Sequence, residues 1–200
     1  MEKQVLVDYI PFEVTPQQIN ESLATNGKLI VSGVLQRANA KNQNGRVYPK
    51  DTLVREANKY AEVQVAERRA LGELDHPDSS VVNLNNVSHN VLDMNWKGDD
   101  LVGTVEVLGT PSGNILKELF KSGIKLGISS RGLGSVEEIH EADGENTVQV
   151  QPDFELIAFD FVSNPSTHGA FLSPLKEGVD KNIKPISKVE TIINDILRGE

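Results

Sequence analysis

The chain contains no cysteine, so a hydrolytic nucleophile has to be a serine or threonine hydroxyl activated by a neighbouring base, usually histidine. Four histidines are present: His76, His89, His140 and His168. His140 stands among Glu137, Glu138 and Glu141 beside an acidic loop and reads as a solvated surface residue. The most unusual stretch is Gly127-Ile128-Ser129-Ser130-Arg131-Gly132-Leu133-Gly134-Ser135. Three glycines in eight positions allow positive φ or a close backbone approach, and an arginine adjoins the two central hydroxyls. As a crowded loop, the stretch can present a serine while its N–H groups face a developing oxyanion. On composition alone it is equally an ordinary turn.

A base for that serine is offered by Gly72-Glu73-Leu74-Asp75-His76-Pro77-Asp78, where one histidine stands among three carboxylates. A carboxylate beside an imidazole holds its tautomer and raises its basicity, as a general base requires. Glu73, Asp75 and His76 are also ligand types for a divalent metal. Their spacing matches no metal motif, however, and sequence neighbours in a strand point to opposite faces. A satisfied structural histidine is the third reading of the same segment.

Positioning these residues falls to a chain of 200 residues, enough for one domain that buries roughly 70% of its unfolded surface. The net charge of -9, from 20 basic and 29 acidic residues, argues against a nucleic-acid partner, which would need clustered cations. No apolar run approaches the ~20 residues that span a bilayer. The opening MEKQVLVDYIPFEV lacks the apolar core and cleavage site of a signal peptide, so a cytoplasmic location is expected, with no membrane partner.

Thr15-Pro16 predicts a capped helix to about Ala24, closed near Asn26-Gly27. Residues 28–38 read as a strand, and Asn44-Gly45 as a tight turn. From Lys50 to about Val63 the spacing of Leu53, Val54, Ala57, Tyr60 and Ala61 predicts an amphipathic helix. Segments 87–96 and 101–109 flank Lys97-Gly98-Asp99-Asp100 and predict a hairpin. Thr110-Pro111 opens a further helix bearing Ile115, Leu116, Leu119 and Phe120, closed by Ser122-Gly123. The segment TVQVQPDFELIAFDFVSNPS alternates in part as a strand does.

Without a regular strand-helix alternation, the order favours an α+β barrel or sandwich over a doubly wound sheet. The domain is expected to occupy residues 1–174, followed by a linker over 175–188 and a tail over 189–200. In that tail Val189, Ile192, Ile193, Ile196 and Leu197 form an amphipathic helical stripe.

The ordered set ALGELDHP, VLDMNWKGDDLVG and GISSRGLGS, with NGRVYP upstream, resembles the prohead core proteases of T-even-type myoviruses from about Ser32 to Pro174. The resemblance implies a herpesvirus-assemblin-like serine protease, an α+β fold in which a strand barrel is surrounded by helices. It implies that His76 is the catalytic histidine and Ser129 the nucleophile. Asp160 falls on a late strand and is the expected third member, with His89 or His168 as alternatives. Arg131 and Gly132 are the candidates for the oxyanion site, through backbone N–H groups or the guanidinium.

The implied role is degradation of the internal scaffold and trimming of capsid proteins inside the assembling prohead in the host cytoplasm. Cleavage is implied after glutamate in a Leu/Ile-x-Glu context. Leu175-Lys176-Glu177 fits that context at the start of the linker, so Glu177 is an expected self-cleavage site. No metal or organic cofactor is implied, and a homo-oligomer is expected. The competing class is a non-catalytic, protease-like head assembly or scaffold protein.

Overall fold

The computed structural model describes residues 2–77, 79–140 and 146–163. The expected linker, Glu177, His168 and the amphipathic tail lie outside them. The first strand, β1 (Gln4–Phe12), is followed by α1 (Pro16–Asn26). Thr15 caps that helix reciprocally with Gln18, Pro16 occupies its first turn, and Gly27 ends it at φ 65°. Next come β2 (Leu29–Arg37), the short β3 (Arg46–Val47) and α2 (Lys50–Tyr60), which continues as a π-helical turn over Ala61–Val65. Leu53, Ala57 and Tyr60 are buried on α2 as the three- and four-residue spacing requires, together with Thr52 and Glu56.

The central part comprises β4 (Leu71–Glu73), β5 (Val87–Lys97) and β6 (Asp100–Val107). The last two form the expected hairpin, turning at Gly98 with φ 61°. Then follow α3 (Pro111–Lys121), capped by Thr110, and four strands: β7 (Leu126–Gly134), β8 (Val136–His140), β9 (Asn146–Val150) and β10 (Glu155–Val162).

Among the described residues the strands make three sheets, ordered β1-β7-β10, β2-β6-β5-β4 and β3-β9-β8. The fold is α+β, but no closed barrel is present among these strands. Closure would require every edge to pair through backbone hydrogen bonds, and β1 and β2 share no ladder. They meet through side chains instead: the Phe12 ring lies so close over Gly33 that a Cβ there would be 2.5 Å from it. The first two sheets touch through their backbones at Leu74 and Phe161, a parallel bridge reinforced by Asp75 N–H donating to the Phe161 carbonyl at 2.8 Å.

Phe161 is also central to the core. Its fully buried ring meets Phe12 and Phe120 edge-to-face at centroid distances of 5.1 and 5.3 Å, and the His89 ring at 4.7 Å. Burying such a side chain contributes about 2–3 kcal/mol. Around it pack Leu29, Val31, Leu35, Val91, Val105, Leu116, Ile128 and Phe159. Residues 71–75, which lead into His76, are therefore fastened to this core through the Leu74–Phe161 bridge.

Candidate active site

Ser129 stands in the middle of β7, the central strand of its sheet, opposite Tyr9 of β1 and Asp160 of β10. Directly opposed residues and residues two apart share a face. Ser129, Arg131, Tyr9 and Asp160 therefore project from one side of the sheet, and Ser130 from the other. The glycine-rich stretch is thus a strand and not the expected loop. None of its glycines has positive φ; what requires them is close packing. A Cβ at Gly127 would lie 1.6 Å from the Tyr9 ring, and one at Gly132 would lie 2.3 Å from the Phe154 ring.

The two serines are chemically distinct. Ser130 Oγ accepts a hydrogen bond from Gln36 Nε2 at 2.8 Å and is buried among the core strands. Ser129 is only 1% exposed, yet its Oγ has no hydrogen-bond partner among the described residues. Buried hydroxyls are seldom left so.

Beside Ser129 lies a buried ion cluster. Arg131, fully buried, directs its five N–H groups to five acceptors. Its Nε donates to Asp160 Oδ2 at 2.8 Å, and its Nη2 to Asp160 Oδ1 at 3.2 Å and Glu73 Oε1 at 3.0 Å. Its Nη1 donates to the carbonyls of Ser79 and Val81 at 2.7 and 3.4 Å. The guanidinium considered for the oxyanion site is thus committed to holding carboxylates and the segment after His76. No donor remains for a substrate oxygen in this conformation.

Asp160 is gripped by that fork, and its Oδ1 also accepts the Glu73 N–H at 3.0 Å. Burial pushes the Asp160 carboxyl up, against the opposing pull of the Arg131 charge and the Glu73 N–H bond. Glu73, fully buried, accepts from Arg131 and from the Asn83 N–H at 3.0 Å through Oε1, while its Oε2 has no partner among the described residues.

His76 follows Asp75, whose φ of 65° turns the chain just past the Leu74–Phe161 bridge. The ring is half-buried and its Nδ1 lacks a partner among the described residues. One strand, β10, separates the Leu74–Asp75 backbone from β7, about 10 Å of sheet. The structure thus gathers Ser129, Arg131, Asp160 and Glu73 on one face, with His76 at its border. No Ser129–His76 hydrogen bond is formed.

His89 belongs to the core. Its Nε2 meets the Phe159 carbonyl at 2.9 Å, which can only accept, so Nε2 carries the proton and Nδ1 accepts from Ser88 Oγ at 2.9 Å. Burial lowers its pKa to about 4. Both nitrogens are engaged, so it is not free to orient His76. The same contact explains Gly72, where a Cβ would lie 1.9 Å from the Phe159 carbonyl oxygen and 2.3 Å from His89 Nε2.

The upstream NGRVYP segment is an anchor. Arg46, Tyr48 and Asn44 all donate to the buried Asp8 carboxylate, on the face of β1 away from Ser129. Tyr9 and Gln36 were not singled out by residue type. Their relation to the serines is one of strand register, and the sequence carries no local signal of it.

Comparison with known proteins agrees with this architecture. A family model described as prohead core protein serine protease matches residues 3–182. The prohead core protein protease of Enterobacteria phage T4 is 31% identical over 172 residues, covering 84% of this chain and 78% of the T4 protein. The solved structure of the bacteriophage T4 capsid assembly protease superposes with a TM-score of 0.71 at 29% identity, covering 82% of this chain and all of the T4 chain. The chain belongs to the prohead core protein serine protease family, and it is a protease.

Proposed function

We propose that the chain is a serine endopeptidase of phage head maturation, with Ser129 as nucleophile and His76 as base, acting inside the assembling prohead in the host cytoplasm. Its substrates are the internal scaffold and capsid proteins. The observation that carries this reading is the contrast between the two serines: Ser130 Oγ is held by Gln36, whereas Ser129 Oγ is unpartnered beside a buried carboxylate cluster. The T4 relative, described as a capsid assembly protease, supports the same reading.

In the proposed reaction His76 takes the Ser129 proton as Oγ attacks the peptide carbonyl, and water later releases the acyl-enzyme. Asp160 contributes buried negative charge behind the histidine and is held there by Arg131. Arg131 and Gly132 lie in β7 between β1 and β10, so an oxyanion role for their amides would require an N–H freed at the β7–β10 irregularity between Leu156 and Ala158. A hydroxyl 1% exposed cannot meet a polypeptide, so part of the cover of that face has to shift. The segment tied to Arg131 through the Ser79 and Val81 carbonyls lies on it.

Cleavage follows glutamate in a Leu/Ile-x-Glu context, and Glu177 is the proposed self-processing site. The test is turnover of a peptide with that context by wild type, Ser129→Ala and Ser130→Ala. Activity should vanish only in Ser129→Ala and should survive EDTA. Activity retained in Ser129→Ala, or lost to EDTA, would instead favour a metal-dependent hydrolase. Absence of turnover and of self-processing in assembled heads would favour the non-catalytic assembly protein. Intact-mass measurement should show wild type, but not Ser129→Ala, ending at Glu177.

A further inference from the structure

Buried polar atoms without a partner are rare in folded proteins, and those among the described residues include Ser129 Oγ, His76 Nδ1, Glu73 Oε2 and the Tyr60 hydroxyl. Two of them are complementary. Glu73 Oε2 is an acceptor with no donor. A histidine that takes a proton on Nε2 carries its other proton on Nδ1, and His76 Nδ1 has no acceptor. The two residues are three apart in one segment, fastened between them by the Leu74–Phe161 bridge and bent at Asp75.

The more obvious carboxylate is less available. Asp160 has both oxygens in the Arg131 fork, and Oδ1 takes the Glu73 N–H as well. Glu73 uses only one oxygen, and the second is enclosed in protein. Charge points the same way: with both carboxylates ionised, Glu73, Asp160 and Arg131, all fully buried, leave one negative charge uncompensated. An imidazolium at His76 would supply the missing cation. Tyr60, which faces Asp160 and Arg131 from α2, could offer Glu73 a hydroxyl but no charge. Asp75, the remaining titratable side chain described beside His76, is exposed and turns its Oδ1 to the His76 N–H at 3.1 Å.

We infer that Glu73 is the positioning carboxylate of the site, its Oε2 accepting the His76 Nδ1–H, with Arg131 and Asp160 holding it in place. Glu73 fixes the tautomer whose Nε2 can receive the Ser129 proton and stabilises the imidazolium formed as Oγ bonds to the carbonyl carbon. The Nδ1 proton stays on the histidine, and Glu73 stays ionised throughout. This assignment rests on the Ser129–His76 reading above.

The deciding experiment is kcat and KM against pH, on the full chain, for wild type, Glu73→Gln, Glu73→Asp and Asp160→Asn, with melting curves alongside. Glu73→Gln should lower kcat by about 10³- to 10⁴-fold while KM changes less than about threefold. The acid limb of its kcat/KM profile should move to lower pH, a shift that loosened packing alone would not produce. Asp160→Asn, which removes a charge already held by Arg131, should move that limb less than Glu73→Gln does. If Glu73→Gln does not fold, Glu73→Asp decides, because it keeps the charge but withdraws the oxygen; kcat should then fall at least about tenfold in a protein of near-normal melting temperature. The inference is overturned if the informative Glu73 variant keeps kcat within about threefold of wild type, or if Asp160→Asn shifts the limb and Glu73→Gln does not. Activity surviving in Ser129→Ala would overturn the serine reading itself, an outcome separable from failure of Glu73 alone.

Discussion

Replacing Arg131 by methionine removes a guanidinium with no exposed surface and five hydrogen-bond acceptors, two of them on Asp160 and one on Glu73. Both carboxylates remain buried without their counter-charge, a situation that costs about 3–5 kcal/mol when one partner of a buried pair is deleted. A domain is stable by only about 5–15 kcal/mol in total. With a urea dependence of about 2 kcal/mol per molar, the unfolding midpoint should fall by about 2 M. The measurement is urea unfolding followed by far-UV circular dichroism, in a Ser129→Ala background to prevent self-digestion. Adding Glu73→Gln and Asp160→Asn to Arg131→Met should recover at least about 1 kcal/mol, since the stranded charges are then gone. Arg131→Lys should fall between parent and methionine variant, keeping the charge but not the five-donor fork. A methionine variant within about 1 kcal/mol of its parent, or no recovery on neutralising the carboxylates, would refute the buried ion cluster as the organiser of this face.

His89 should make stability depend on pH in a definite window. Burial lowers it to about 4, against roughly 6.5 in an unfolded chain, so between those values the unfolded state binds a proton that the folded state does not. Its contribution is therefore complete above about pH 6.5 and declines by about 3 kcal/mol as pH falls towards 4; His89→Gln should flatten urea midpoints measured across that range. Gly72→Ala should cost about 2–4 kcal/mol in the same assay and abolish peptide cleavage, because its Cβ would lie 1.9 Å from the Phe159 carbonyl oxygen and push β4 off β10. Thr15→Ala, by contrast, should cost about 1 kcal/mol through loss of the α1 cap while leaving kcat unchanged.

What the sequence disclosed was local. The caps at Thr15 and Thr110 and the β5–β6 turn at Gly98 depend on residues within a few positions, and each stands where residue type predicts. The glycines of β7 depend on partners far along the chain, Tyr9 for Gly127 and Phe154 for Gly132, and without them they look like loop residues. β1 went unread for a related reason, since it is defined as much by its pairing with β7 as by its own pattern. The expected strand barrel is not closed among the described strands, since β1 and β2 share no ladder and Phe12 packs over Gly33 through its side chain. Within the site, residue types pointed to the 127–135 stretch and to His76, and the family resemblance singled out Ser129 and Asp160. That Arg131 would grip Asp160 from two positions beyond Ser129 follows from the β7–β10 register, which no local pattern reveals.

The bracketing of β7 by β1 and β10 has a consequence for the order of events in the cell. The strand carrying Ser129 lies between the first strand and the last described one, which joins residues 4–12, 126–134 and 155–162 in one ladder. Such distant pairings form late. A nascent chain still on the ribosome can present Gly72–His76 and even Ser129, but it lacks the strand that brings Asp160 alongside until residues beyond 160 have emerged. A fragment truncated before β10 would likewise lack Asp160 and the bridge to Leu74. On the Ser129 reading proposed above, synthesis itself would act as a timer, because the proposed site is incomplete until β10 has emerged.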